Sequence, residues 1–399
     1  MYAGAKALLA TNSNIQLAVA SLYSGEELQV LKLGEITYYL LPGAGDVISY
    51  NAKLEAYWKQ IDQDFAPDVT HVHGTEYPHG LAYVNACGSE KVIISIQGLV
   101  SVYERYYYGG ISEKVLLKNI TIRDILRNDT IITQRNRMVQ RGSFEKQMIQ
   151  SVKHIIGRTA WDKAHTWALN SAIKYHFCNE TLREEFYKYK WGYQNCKKYS
   201  IFLSQAHYPI KGLQQMLAAL PFILAHYPQT KVYVAGHNFT NKGFLKINGF
   251  GKYIQSQIED LGIQDNVVFL GMLSEQQMCQ QFLKANVFVC PSSIENSPNS
   301  IGEAQLLGVP CVASIVGGMT DMIEDHQSGL LYRFEEVEML AKNVCDIFSD
   351  LELTQKLSEN GRIAAWERHN KTANSTRMVE IYNNVAKVDT SYMQVSNQV

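Results

Sequence analysis

Several things are missing from this 399-residue chain, and each absence narrows its chemistry. It has no run of eighteen apolar residues, so no transmembrane helix is expected. The first 25 residues lack a basic stretch followed by a long apolar one, so no signal peptide is expected. Net charge is nearly absent, with 37 Lys and Arg against 38 Asp and Glu. No global basic field exists to drive non-specific nucleic-acid binding. There is no Cys-x-x-Cys, and the seven cysteines are odd in number and scattered. They read as reduced thiols of a cytoplasmic protein, not as a zinc site or a disulfide frame. No Gly-x-Gly-x-x-Gly follows a strand, which disfavours a dehydrogenase. Internal repeats and low-complexity tracts are also missing. What is present is an ordinary globular composition, 46% hydrophobic and 19% charged, of a length for roughly two to three domains. Tyrosine is plentiful, at 24 residues. Sugar-handling proteins use such rings, but so do ordinary cores.

Short β-branched runs alternate with helical stretches. The strand candidates are 15–20, 69–73, 91–96, 154–156, 172–177, 200–203, 231–235, 266–270, 287–290 and 310–313. Most are continuously apolar, as parallel strands buried on both faces should be. Helical stretches such as 212–226 and 275–284 follow several of them, giving an α/β chain of βαβ units. The polar run 188–198 precedes a fresh strand, and a domain boundary is placed there. The expected division is 1–193, 194–370 and a terminal helical segment 371–399 that crosses back to the first domain. The chain opens on the second half of a helix where a doubly wound domain normally opens on a strand and a glycine turn. The first strand is therefore either absent or replaced by a short natural start.

The richest segment runs from Val287 to Ser314. A buried strand ends near Pro291, a polar loop follows, and a helix starts near Asn299. Glu295 and Glu303, eight residues apart, bracket that helix start. The amides of Asn299, Ser300, Ile301 and Gly302 favour an anion there. Glu303 is placed to accept hydrogen bonds from a ribose diol, and Glu295 from sugar hydroxyls. A plain helix with acidic residues near its start is the alternative. Upstream, the strand 200–203 leads through Gln205 to Lys211-Gly212, which opens another helix. Downstream, Gly317-Gly318 lies between a strand and a helix expected near Thr320. Two glycines let backbone approach a ligand closely. In the first half, one strand delivers His71 and His73 to its end, followed by Glu76, Tyr77 and His79. Gln97 ends the next strand. Arg158, with Asp162 as its expected partner, follows another. No third ligand accompanies the two histidines at a convincing spacing, so a metal is not expected.

Together these segments resemble the retaining glycosyltransferases of the GT-B fold, glycosyltransferase family 4, also called glycosyl transferases group 1. The Glu295 to Glu303 spacing is similar to that family's E-x7-E motif, with Asn296-Ser297-Pro298 where Gly-Phe-Gly is usual. The resemblance implies two Rossmann-like doubly wound domains facing a central cleft. It implies transfer of a sugar from a UDP- or GDP-sugar to an acceptor hydroxyl with retention, no resident metal, and a place in bacterial surface polysaccharide synthesis. Lys211 matches the family's diphosphate-binding lysine. Gln205 stands where the family carries an arginine, and Arg158 is the candidate to make up that charge. Main-chain groups at Leu270, Gly271, Met272 and Leu273 would meet the base. Lys211, Glu295 and His73 would serve the reacting sugar, with Glu76, Tyr77, His79 and Gln97 on the acceptor side. Alternatives are a nucleotide-sugar-binding protein impaired in transfer and a nucleotide-sugar epimerase. Residues 101–150 hold nine Lys and Arg against five Asp and Glu. They read either as a solvated insertion or as a face for the inner surface of an anionic membrane carrying a lipid-linked acceptor.

Overall fold

A computed structural model describes residues 2–11, 14–236, 238, 243 and 246–395, with the backbone alone for 2 and 387–395. The chain folds as two compact units. The first takes residues 1–104, 137–181 and 370–399, and the second takes 105–136 and 182–369. The expected division at 193/194 differs from this in two places. Leu182 and Phe186, ahead of the polar run expected to mark the boundary, and Trp191, within it, are buried in the core of the second unit. Residues 105–136, expected to stay with the first half, belong to the second unit.

The first unit holds β1 (Leu17–Tyr23), β2 (Gln29–Leu33) and β3 (Ile36–Pro42) in a separate three-stranded sheet. In it β1 pairs parallel and β2 antiparallel with β3. The β2–β3 hairpin has no counterpart in the sequence-based expectation. A second, parallel sheet runs β4 (Thr70–His73), β5 (Val92–Ser95), β6 (His154–Gly157) and β7 (Lys174–Phe177), in chain order. Continuous apolar text explains β5, whose four residues are all buried. Trp58, Tyr83, Met148 and Ile155 share one core with Tyr39 and Leu41 of β3.

The second unit is a six-stranded parallel sheet of β8 (Ser200–Leu203), β9 (Lys231–Ala235), β10 (Val267–Gly271), β11 (Val287–Cys290), β12 (Cys311–Ser314) and β13 (Leu330–Tyr332). Its order is β10-β9-β8-β11-β12-β13, so the direction of winding reverses between β8 and β11. Residues beyond the carboxyl ends of those two strands flank a switch point, where open α/β sheets bind ligands. The helix expected near Thr320 is only a 3₁₀ turn, Met319–Asp321. The terminal helix spans Lys371–Val395.

Residues 105–136 are pinned along the loops of this second sheet. Ser293 Oγ donates to the Tyr106 carbonyl at 3.1 Å, and Gln214 Nε2 donates to the Gly109 carbonyl at 2.7 Å. Thr121 Oγ1 donates to the Ile247 carbonyl at 2.9 Å, and the Gly249 amide donates to Asp124 at 2.8 Å. Thr121 and Asp124 also form a capping box on the helix Ile122–Leu126. That box fixes the helix by its buried side and leaves Ile125 and Leu126 67% and 80% exposed.

Candidate functional site

The switch point of the second unit gathers four of the expected residues. Lys211 follows β8 and Glu295 follows β11, and Lys211 Nζ lies 2.6 Å from Glu295 Oε1. Ser292 Oγ donates to the same oxygen at 2.8 Å. Burial works against the Lys211 ammonium, but the Glu295 charge and hydrogen bond outweigh it and hold its pKa above the ordinary lysine value. The helix Asn299–Leu307 begins four residues after Glu295. Its Ile301 and Gly302 amides already donate to the Pro298 carbonyl, at 3.0 and 3.5 Å. Helix geometry therefore leaves the amides of Asn299 and Ser300 for an anion, two of the four expected. Gly302 is close-packed: a Cβ there would sit 2.5 Å from His369 and 2.8 Å from Leu182.

The glycines serve the protein before any ligand. Gly212, at φ +73°, passes the Pro291 carbonyl so closely that a Cβ would come within 1.6 Å. Gly317, at φ +54°, passes the Glu295 carbonyl within 1.8 Å by the same measure. The Gly318 amide donates to that carbonyl at 3.1 Å. The sequence gives this pair to a ligand; the fold uses it to lock the loop after β12 onto the loop after β11. Positive φ and contact with backbone together exclude any side chain at either place.

Glu303, 4% exposed, is not alone. Arg183 grips it with Nε on Oε1 and Nη2 on Oε2, both at 2.7 Å. Burial raises the Glu303 carboxyl and Arg183 offsets part of that rise. Sequence reasoning missed Arg183, which lies 120 residues away from Glu303 and carries no motif. Gln205 is exposed in the loop after β8. Leu270 and Gly271 end β10, an edge strand, Met272 and Leu273 follow it, and the Gly271 carbonyl accepts the Gly236 amide at 3.0 Å. Leu270 and Leu273 pack on the core while Met272 is exposed.

The first unit places its candidates beyond β4, β5 and β6. His73 ends β4 with an exposed ring stacked 3.8 Å from that of His71. His71 bonds Tyr382 through Nδ1 at 2.6 Å and Ser95 through Nε2 at 2.5 Å, so it is a satisfied structural histidine. Arg141 lies over the Tyr77 ring at 5.0 Å, and its charge partly opposes the rise that burial gives the Glu76 carboxyl. Tyr77 stacks with His79, their centroids 6.1 Å apart, and burial lowers the His79 imidazole. Asp162 is not the partner of the Arg158 guanidinium. It accepts the Arg158 backbone amide at 3.0 Å and caps its own helix with Thr159. The guanidinium is held by Glu180 at 2.9 Å, by Gln97 Oε1 at 3.1 Å and by the Ile96 carbonyl at 2.8 Å. Gln97 Nε2 donates to Glu180 at 2.6 Å, closing the ring of three. Arg158 and Gln97 outweigh burial and keep the Glu180 carboxyl below its ordinary value.

Beneath this edge sits Glu145, fully buried and absent from the sequence-based set. It accepts from Thr75 Oγ1 at 2.7 Å, the Val100 amide at 3.0 Å and the Ser101 amide at 2.9 Å. One carboxylate thereby ties the loop after β4 to the loop after β5. Burial raises it and these donors pull it back.

A strand-reversed sheet with a lysine–glutamate pair at the reversal and a helix start beside it is an arrangement at which open α/β sheets bind ligands. Residues 184–364 match the family model Glycosyl transferases group 1, so the chain carries a domain of that group. Among curated proteins, it is 25% identical over 191 residues to an uncharacterised glycosyltransferase of Methanocaldococcus jannaschii, covering 48% of this chain and 46% of that one. It is 29% identical over 161 residues to the D-inositol 3-phosphate glycosyltransferase of Streptomyces avermitilis, covering 39% and 33%. The matches thus span less than half the length of these relatives. Among solved structures, sucrose-phosphate synthase of Thermosynechococcus elongatus superposes with a TM-score of 0.72 at 16% identity, over 97% of this chain and 92% of that one. Anabaena HepE in complex with UDP-glucose gives 0.59 at 17% identity, over 85% and 82%. The fold is the GT-B fold, built of Rossmann-like units. Among the described residues, no helix is long and apolar enough to cross a membrane.

Proposed function

We propose that the protein is a retaining glycosyltransferase that moves a sugar from a UDP- or GDP-sugar to an acceptor hydroxyl. The Lys211–Glu295 pair at the switch point, 2.6 Å apart beside the helix start at Asn299, carries this reading. Lys211 and the amides of Asn299 and Ser300 take the diphosphate, where they stabilise charge that grows as it departs. They occupy the place a metal ion would otherwise fill, and chelation is expected to leave transfer unchanged. Glu295 holds sugar hydroxyls and Glu303 the ribose side. In the first unit, His73, Glu76, Tyr77, His79 and Gln97 are assigned to the acceptor. We assign the transfer to one face of the sugar, with no covalent intermediate on the protein. The bond from anomeric carbon to phosphate oxygen breaks as the bond to the acceptor oxygen forms, and the acceptor proton passes to the leaving phosphate. Positioning and electrostatics are then the protein's whole contribution.

HepE, solved with UDP-glucose, supports a nucleotide-sugar donor. A panel of UDP- and GDP-sugars read by thermal shift tests the reading, because a tight donor raises the melting temperature by mass action. Silence across the panel ends it. We extend the proposal to surface polysaccharide synthesis with a lipid-linked acceptor. Exposed Leu117, Ile122, Ile125 and Leu126 lie among Lys114, Lys118 and Arg127, a pairing suited to anionic lipid. Co-sedimentation with phosphatidylglycerol vesicles, absent with phosphatidylcholine alone, is the expected result.

A further inference from the structure

Glu303 is the group that the proposed function gives to the nucleotide's ribose, yet its carboxylate lies behind another side chain. Arg183 contacts both of its oxygens at 2.7 Å. Glu303's side chain is 5% exposed and Arg183's is 41% exposed. The guanidinium is therefore the outer member, and a ligand approaching Glu303 meets Arg183 as well. This is not a loose surface arginine. Its guanidinium lies 4.8 Å from the Phe186 ring centroid, and Phe186 is fully buried. The segment carrying it is tied down on both sides. The Glu185 amide donates to Glu275 at 3.0 Å, the Leu182 amide donates to Tyr187 at 3.1 Å, and Tyr187 Oη donates to the His369 carbonyl at 2.7 Å.

A guanidinium carries five N–H donors in a fixed fork. The grip on Glu303 uses one on Nε and one on Nη2. Those on Nη1 and the second on Nη2 point away from the carboxylate by the planarity of the group. The charge count gives them a use. Without Arg183, the switch point offers Lys211, Glu295 and Glu303, a net negative set, to a ligand that is itself a dianion or more. Gln205 supplies no cation to the same loop. Arg183 cancels one of these negative charges while leaving hydrogen-bond donors outermost, and Glu275, whose charge reaches both Arg183 and Glu303, makes that cation the more needed.

We infer that Arg183 is a nucleotide-contacting residue: held in plane by Glu303, it donates its outward N–H groups to the phosphates of a nucleoside diphosphate. This rests on the donor-site reading above. The experiment measures binding of UDP, GDP and the matching nucleosides to the full chain by titration calorimetry, for wild type, Arg183→Ala and Arg183→Lys. Arg183→Ala is expected to weaken the preferred diphosphate about 10- to 100-fold, as for a lost charged hydrogen bond, and its nucleoside less than 3-fold. Arg183→Lys, which keeps the charge without the fork, should fall between the two. Diphosphate affinity unchanged in Arg183→Ala overturns the assignment. Equal loss of diphosphate and nucleoside also overturns it, because Arg183 would then act only by shaping Glu303 for the ribose. If Arg183→Ala unfolds, Arg183→Lys decides: wild-type affinity in that variant rejects the forked contact. Wild type that binds neither diphosphate removes the donor site itself, and the assignment falls with it.

Discussion

The two parallel sheets differ in how their strands are ordered, and their charged groups differ with them. In the second unit the order turns back on itself between β8 and β11, and the loops beyond those strands meet. Lys211 from one lies against Glu295 from the other, with the carboxylate partly shielded and the cation partly in solvent. In the first unit β4 to β7 run in chain order and no such reversal exists. Its charges are settled internally: Arg158 with Glu180, and Glu145 with four donors of neighbouring loops. Strand order thus separates an edge that brings a lysine and a glutamate from two loops together from one whose polar groups mainly hold the edge together.

The largest way to break this contrast is to wedge the second unit's loops apart. Gly317→Ala and Gly212→Ala place a Cβ within 1.8 and 1.6 Å of a carbonyl oxygen at positive φ. Each should cost about 2–4 kcal/mol in urea unfolding and abolish nucleotide binding. Gly271→Ala, also at positive φ but facing open space, should cost only about 1 kcal/mol. Next in size is Glu145→Ala in the first unit. It strands the donors of Thr75, Val100 and Ser101. A loss of about 3 kcal/mol is expected, with nucleotide affinity of the remaining folded protein unchanged. Lys211→Met leaves the Glu295 carboxylate, 8% exposed, without its cation, so it should cost about 1–3 kcal/mol and, unlike Glu145→Ala, weaken diphosphate binding of the folded protein about 10- to 100-fold.

Acid should sharpen the comparison further. Burial lowers His176 from 6.5 to about 4, and lowers His154 and His71 from the same value. The unfolded chain takes up protons as pH falls through 6.5, and the folded protein does not until far lower. The stabilising contribution of His176 is complete above about pH 7 and is lost between 6.5 and 4, and His154 and His71 act in the same direction. The raised carboxyl of Glu145 acts in the opposite sense, so the test is a difference. His176→Gln should flatten the slope of urea stability between pH 7 and 5. The smallest effect is expected on the knuckle of residues 122–126, where Leu126→Ser should change stability by less than about 0.5 kcal/mol yet reduce vesicle binding.

Much of the second unit was legible because buried parallel strands write continuous apolar text, and all five of its strand candidates other than β13 fall where expected. Strand β13, only three residues long, is too short to carry such a signal. The pair of glutamates and Lys211 were legible because their spacing follows from strand, loop and helix in fixed succession. Arg183 and Glu145 were not, since each meets its partners across long sequence separations that no local pattern encodes. Asp162 misled for a related reason. Its spacing from Arg158 fits a side-chain pair, but Thr159 makes it a helix cap that takes the Arg158 backbone amide instead. The glycine pair at 317–318 signalled a close backbone approach without naming what approaches, and the Glu295 carbonyl is one such neighbour.

The placement of residues 105–136 bears on how the chain is made. Thr121 and Asp124 find their acceptor and donor in Ile247 and Gly249, and Gly109 finds Gln214. A ribosome delivers those partners only after 105 to 126 further residues have emerged, a gap of several seconds to tens of seconds at ordinary rates of synthesis. Throughout that interval the segment has only its local contacts, and a nascent chain halted before residue 200 would hold its aliphatic side chains without these partners. The late half of the polypeptide is what completes the middle.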